Sequence, residues 1–223
     1  MTTINNKVID FSKLSNYTKE FERTESLCSL FKLLAIETWK RLEFIYIKPY
    51  IRLFETTVTQ NIAFTIEQLR VKHNLPIKIY ESTNEKANGN DLELIINFPS
   101  YGISFYAPVQ AKKIFRNQKY TNIRHDGQIE KLIKYAEDNM GYPLFLFYNY
   151  TNEIYPHSKT EPELFGCSVL DAYTVRNNFC KESILHSVSK FTWNKIPSFN
   201  DMAKIGAFPW HHLVCDNEPI KLF

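Results

Sequence analysis

Two side chains in the run "VQAKKIF", Gln110 and Lys112, carry an amide and an ammonium where a buried strand would hold aliphatic groups. Side chains alternate along a strand, so these two share one face while Val109 and Ala111 take the other. A carboxylate joins them if "DLELIINF" folds back on "ISFYAPVQAKK" about a two-residue Ser100-Tyr101 tip, which faces Pro99 to Gly102 and Asp91 to Gln110. Pro108 qualifies that register, because a strand proline implies an edge position or a bulge.

Such a cluster suits a hard cation. Mg²⁺ takes oxygen ligands, usually one or two of them carboxylates, and Asp91 with the carbonyl oxygen of Gln110 supplies that chemistry. An ammonium beside the ion, here Lys112, holds the attacking water and meets the charge that builds on a phosphate being cleaved.

The elements that must position these groups follow from periodicity. Leu27, Leu30, Phe31, Leu34, Trp39, Leu42 and Ile45 recur at helical spacing and predict a long amphipathic helix over Thr24 to Pro49. A second helix is predicted from Glu55 to near Pro76, with Val58, Ile62, Phe64, Ile66 and Leu69 as its apolar positions. Three strands follow, from Ile77, Asp91 and Ile103, separated by "NEKANGN" and "PSYG" and read as a meander. "RHDGQIEKLIKYAEDNMG" then predicts a helix with Gly141 as its C-terminal glycine, and "YPLFLFYNY" a central strand covered on both faces. Helix, strand, strand, strand, helix, strand describes an α/β layer structure in which the last helix returns the chain to a parallel neighbour.

The 223 residues fit one domain, with 44% hydrophobic and 23% charged residues placing the chain among globular proteins. The expected division is an N-terminal helix over 24–49, a core over about 50–150, and a C-terminal helical and aromatic extension over 151–223 packed on the same core. A net charge of +3 is too mild to identify a nucleic-acid partner. Locally, however, Lys112, Lys113, Arg116, Lys119, Arg124, Lys131 and Lys134 stand against only Asp126 and Glu130, a balance that suits a phosphate backbone as well as a solvated helix face. Cys28, Cys167, Cys180 and Cys215 form no CxxC pair and are expected to be reduced, mostly buried thiols. "MTTINNKVIDFSK" lacks an apolar signal region, and "LCSLFKLLAIETWKRLEF" is broken by Lys32, Glu37, Lys40 and Arg41, so a cytoplasmic protein without membrane contact is expected.

Asp91 at a strand start, with Gln110-Ala111-Lys112 in the next strand, resembles the D…(E/Q)xK signature of the PD-(D/E)xK nuclease superfamily, in the QxK variant of Mrr-type restriction endonucleases. The wider pattern, from "LCSLF" through "GND" and "VQAKK" to "PWHHLVC", is also similar to a poorly characterised bacterial family of restriction-endonuclease-like domains. The resemblance implies a restriction-endonuclease-like mixed sheet flanked by helices. It also implies a Mg²⁺-dependent endonuclease, with Mn²⁺ as a substitute, acting on double-stranded DNA in defence against foreign, including viral, DNA. It makes Glu55, at the start of the second helix, a further metal ligand, with Glu67 as the alternative, and Gln128 an accessory polar residue. Tyr120 is then a candidate to stack on a base, beside Lys113, Arg116, Lys119 and Arg124 on the backbone. Target choice would rest on a homodimer or a partner protein.

Asn90 stands where the superfamily name has proline, and Gln110 replaces the commoner acid, which removes one negative charge from the metal site. That loss also allows a second class of function, a catalytically degenerate module that binds nucleic acid or a protein without cutting. His211, His212 and Cys215 suggest zinc only loosely, because a second ligand pair is missing. Nothing near Cys167, Cys180 or His157 activates a thiol nucleophile.

Overall fold

Apolar residues three and four apart drive the first helix, α1 (Leu27–Ile47), whose buried stripe runs from Leu30 and Phe31 to Trp39 and Leu42. Ser26 caps it, its Oγ accepting from Ser29 N at 3.2 Å. The computed structural model describes residues 25–48, 50–120, 127–152, 161–185, 188–193 and 196–215, without the side chains of 181–195. Helix α2 (Glu55–His73) begins at the residue the sequence predicts and ends at Asn74, which takes the left-handed conformation. Val58, Ile62, Ile66 and Leu69 face inward as expected, but Phe64 is 69% exposed, because it lies off the face those four define.

The sheet begins with two strands of alternating burial. Strand β1 (Ile77–Glu81) and the short helix α3 (Glu85–Asn88) lead into β2 (Leu92–Phe98), which buries Leu92, Leu94 and Ile96. Strand β3 (Ile103–Lys113) pairs antiparallel with β2 from Leu92↔Val109 to Phe98↔Ile103, the predicted register. The Ser100-Tyr101 tip lies in a turn closed by Gly102 N donating to Pro99 O at 3.2 Å. Pro108 opposes Glu93 without a bulge, in an interior strand. The other edge of β3 pairs only from Val109 onward, so the missing N–H of Pro108 falls where that edge has no ladder to complete.

Helix α4 (Gln128–Asp138) connects β3 to β4 (Leu144–Tyr148), which runs parallel to β3 and is buried along its whole length. Gly141 closes α4 as predicted, its N donating to Ala136 O at 2.7 Å, but Met140 takes the left-handed position, with φ 52°. Gly141 is required for space instead, since a Cβ there would lie 2.6 Å from the Tyr106 ring.

Residues after 151 also contribute to the sheet. Strand β5 (Cys167–Asp171) pairs with β4, helix α5 (Ala172–Phe179) follows, and β6 (Cys180–Leu185) and β7 (Val188–Trp193) form a separate hairpin. After α6 (Phe199–Lys204), the two-residue β8 (Phe208–Pro209) completes the order β1-β2-β3-β4-β5-β8, a mixed six-stranded sheet flanked by helices. Helix α7 (His212–Cys215), the last among the described residues, is joined to α1 by a Cys28–Cys215 disulfide. This corrects the expectation of four reduced thiols: residues 187 apart in sequence meet because α7 packs on the start of α1.

Closing so long a loop restricts the unfolded chain, and reduction is expected to lower stability by about 2–5 kcal/mol. Thermal unfolding with and without dithiothreitol checks this. Cys28→Ser should show the lowered midpoint and no further response to reductant. Among the described residues no helix is long and apolar enough to cross a membrane.

Candidate active site

The end of β3 is where the chemistry gathers. Asp91 precedes β2, and its Oδ2 accepts from Ala111 N at 2.7 Å and from Gln110 Nε2. The predicted neighbourhood of Asp91 and Gln110 is therefore present, with one difference. The amide nitrogen of Gln110, rather than its carbonyl oxygen, faces the carboxylate. Gln110 is 1% exposed, and its Oε1 is buried without a hydrogen-bond partner.

Local sequence explains how Asp91 is held. Gly89 ends α3 in the left-handed conformation, and a Cβ there would sit 2.3 Å from Gln128 O, so only glycine lets this turn lie against the start of α4. Asn90 is fully buried and takes over the restraint a proline would give: its Oδ1 accepts from Ser82 Oγ at 3.0 Å and its Nδ2 donates to Leu92 O at 3.3 Å. Glu93 then accepts from Tyr106 OH at 3.1 Å and Tyr135 OH at 2.8 Å, fastening α4 to the hairpin.

Glu55 reaches the same place from α2. Its Oε2 accepts from Lys113 N at 2.6 Å, so the carboxylate reaches across to β3 instead of serving only the dipole of its own helix. Thr59 Oγ1 donates to Glu55 O at 3.0 Å and shares a 2.9 Å hydrogen bond with Tyr148 OH, tying the first turn of α2 to β4. Glu67, the alternative ligand, instead bonds Arg70 on the outer part of α2, at 2.7 and 2.5 Å, and is held below the usual carboxylate range by that contact.

Lys112, with its side chain 6% exposed, lies between the two helices. Its Nζ is 3.9 Å from Glu55 Oε1 and donates to Gln128 Oε1 at 3.4 Å. Gln128 Nε2 in turn donates to Glu85 Oε1 at 3.2 Å. Glu85 is a residue the sequence reading missed, since "NEKANGN" reads as turn. It lines, with Glu55, Glu81 and Asp91, a cavity of about 120 Å³.

Electrostatics fit a site built for positive charge. Burial pushes the Asp91 carboxyl up to about 7 against the opposing pull of Lys112 and the Ala111 N–H, and Glu85 and Glu55 push it further. Burial likewise raises Glu55, again opposed chiefly by Lys112. Among the described residues no three His, Cys, Asp or Glu side chains gather as a metal site. The third oxygen here belongs to an amide, Gln110 Oε1, and a buried acceptor without a partner, on a side chain that touches Asp91, is of the chemical type that suits a hard cation.

The residues expected on a nucleic-acid backbone diverge. Tyr120 is fully buried, its OH donating to Asn149 Oδ1, so it cannot stack on a base; its ring packs on Phe147 instead. Arg116 donates to Ile45 O at 3.0 Å and Lys48 O at 3.2 Å, satisfying carbonyls at the end of α1. Lys113 is buried, with its Nζ 4.1 Å from the Phe115 ring centroid, and Lys119 is exposed. Arg124 and His157 lie outside the described residues. Cys215 is committed to the disulfide, which removes the thiolate a zinc site would use, and burial pushes the thiols of Cys167 and Cys180 up to about 12.

No curated protein matches the chain in sequence. Among solved structures it is similar to Archaeoglobus fulgidus Hjc, a Holliday junction resolvase from an archaeal hyperthermophile. That match has 6% sequence identity and a TM-score of 0.34, and covers 66% of this chain and 93% of that one. Residues 27–221 match the family of unknown function DUF6615, and the chain belongs to that family.

Proposed function

We propose that the chain is a metal-dependent nuclease that hydrolyses phosphodiester bonds in double-stranded DNA, a PD-(D/E)xK-type site in which Gln110 stands for the usual acid. One observation carries this reading: two carboxylates, an unpartnered buried amide oxygen and a buried ammonium meet at one end of β3. Asp91, Glu55 and Gln110 Oε1 would hold the ion. A bound Mg²⁺ supplies Lewis-acid polarisation of the phosphate and a water of lowered pKa. The backbone N–H groups of Ala111 and Lys113 fix the orientation of the two carboxylates. Lys112 orients the attacking water and stabilises the negative charge on the phosphate oxygens as the new P–O bond forms and the old one breaks.

A second reading is favoured by the contact of Gln110 Nε2 with Asp91, which gives the carboxylate oxygen a hydrogen-bond partner without a cation. In that reading the chain binds DNA and does not cut it. Incubation with plasmid and linear duplex DNA in Mg²⁺, Mn²⁺ or EDTA separates the two. Cleavage with either metal and none in EDTA is expected. Binding without cleavage under all three conditions would leave the degenerate module as the answer.

A further inference from the structure

Beside the carboxylate of Glu55 opens a second, larger space. It occupies about 760 Å³ between the end of α1, residues 51–54 and the turn after β3, and Glu55 and Lys113 line it. That volume falls within the roughly 300–1,000 Å³ of small-ligand sites. Its wall is aromatic, with Tyr46, Phe54 and Phe115, and its charges other than Glu55 are cationic: Arg52, Lys113 and Arg116. Arg116 also ties the turn to the carbonyls of α1, so the two sides of the cleft are fastened to each other.

Two features point to an occupant. Phe54 lines the cleft immediately before Glu55 and is 64% exposed, so its ring is open to a stacking partner. Gln118 lines the same cleft with its Oε1 buried and unpartnered, on a left-handed backbone of φ 59°. Open rings offer stacking, the exposed Arg52 offers phosphate pairing, and an amide offers a base edge a hydrogen bond. An unpaired nucleotide uses all three, whereas a base inside a duplex is stacked on both faces and has none to give.

We propose that this cleft holds one unpaired nucleotide of the DNA strand, next to the bond to be cut. The inference rests on the nuclease reading and narrows its substrate to duplexes with a locally unpaired stretch, such as a bubble, flap or frayed end.

The test is binding in EDTA, which removes the chemistry. Fluorescence anisotropy would compare a labelled blunt duplex with the same duplex carrying a central bubble, using the full chain. Wild type should bind the bubble about tenfold more tightly, the gain expected from stacking one base on an aromatic ring. Phe54→Ala should lose most of that preference and Phe54→Trp should restore it; the exposure of Phe54 keeps either change from unfolding the chain. Equal affinity of wild type for the two DNAs, or a Phe54→Ala variant that keeps the full preference, would overturn the proposal. A bubble preference in a protein that cuts nothing would defeat the nuclease reading alone. Cleavage of blunt duplex with no bubble preference would defeat the cleft alone.

Discussion

Replacing Lys112 by alanine is expected to slow metal-dependent DNA cleavage about 10²–10³-fold, the usual loss when one preorganised charge-stabilising donor is removed from an active site. Two effects contribute, and they can be told apart. The first is loss of the ammonium that orients water and meets the charge on the phosphate. The second acts through the carboxylates. Lys112 is the largest influence holding Asp91 and Glu55 down against burial, so without it both carboxyls rise further and are less ionised at neutral pH. Cation affinity then falls, because protons and metal compete for the same oxygens. Raising the pH toward 9 should restore the second effect and leave the first. Single-turnover rates over a Mg²⁺ titration at pH 7 and 9 make the separation, with circular dichroism to show that the fold persists. A variant within twofold of wild type at saturating Mg²⁺ would remove Lys112 from the mechanism, and full recovery at pH 9 would reduce its role to tuning the carboxylates.

The pairing of Asp91 with Gln110 was legible because its determinants are local. Alternation places side chains on a face, and the turn at Pro99–Gly102 sets the register of the whole hairpin. The start of α2 at Glu55 was legible for a similar reason, since a helix start can be read from flanking residues, whereas the role of Glu55 as a ligand came only from the resemblance. Pro108 looked like a threat to the register only because the sequence does not say where β4 begins to pair.

What escaped the sequence depends on contacts between distant segments. Strand β8 has two residues, too few for any periodicity, and exists because β5 offers it an edge. Cys28 and Cys215 share no motif, and their meeting follows from how α7 packs on α1. Tyr120 lies in a run of polar and basic residues that reads as surface, yet Asn149 supplies a buried partner for its hydroxyl and Phe147 a partner for its ring. Glu85 sits in a turn-like stretch, and only the packing of Gly89 against α4 brings it to the site.

Asp91→Asn is expected to make the metal-free protein more stable above pH 7 while abolishing cleavage. The sign follows from the direction of the shift. The Asp91 carboxyl stands at about 7 in the folded protein against an ordinary value of 3.8, so the native state binds the proton more tightly than the unfolded chain. Its contribution to stability is complete below about pH 4 and is lost as pH rises through 7. At about 1.4 kcal/mol per pH unit, the gap amounts to about 4 kcal/mol. Asparagine keeps the shape and the bonds, because Ala111 N and Gln110 Nε2 both donate to a single oxygen, Oδ2, which a carbonyl can replace. It lacks the charge that Glu55 and Glu85 oppose. In EDTA, urea unfolding of wild type should therefore lose stability relative to the variant between pH 5 and 8, a difference that isolates Asp91 from every group the two proteins share. A divalent cation at about a hundred times its dissociation constant should return about 2.7 kcal/mol to wild type at pH 8 and nothing to the variant. Parallel pH curves for the two proteins in EDTA, or equal stabilisation of both by Mg²⁺, would contradict the assignment. The expected pattern is that of a carboxylate kept at a cost to the metal-free fold, and a cation is the ligand that would make that cost worth keeping.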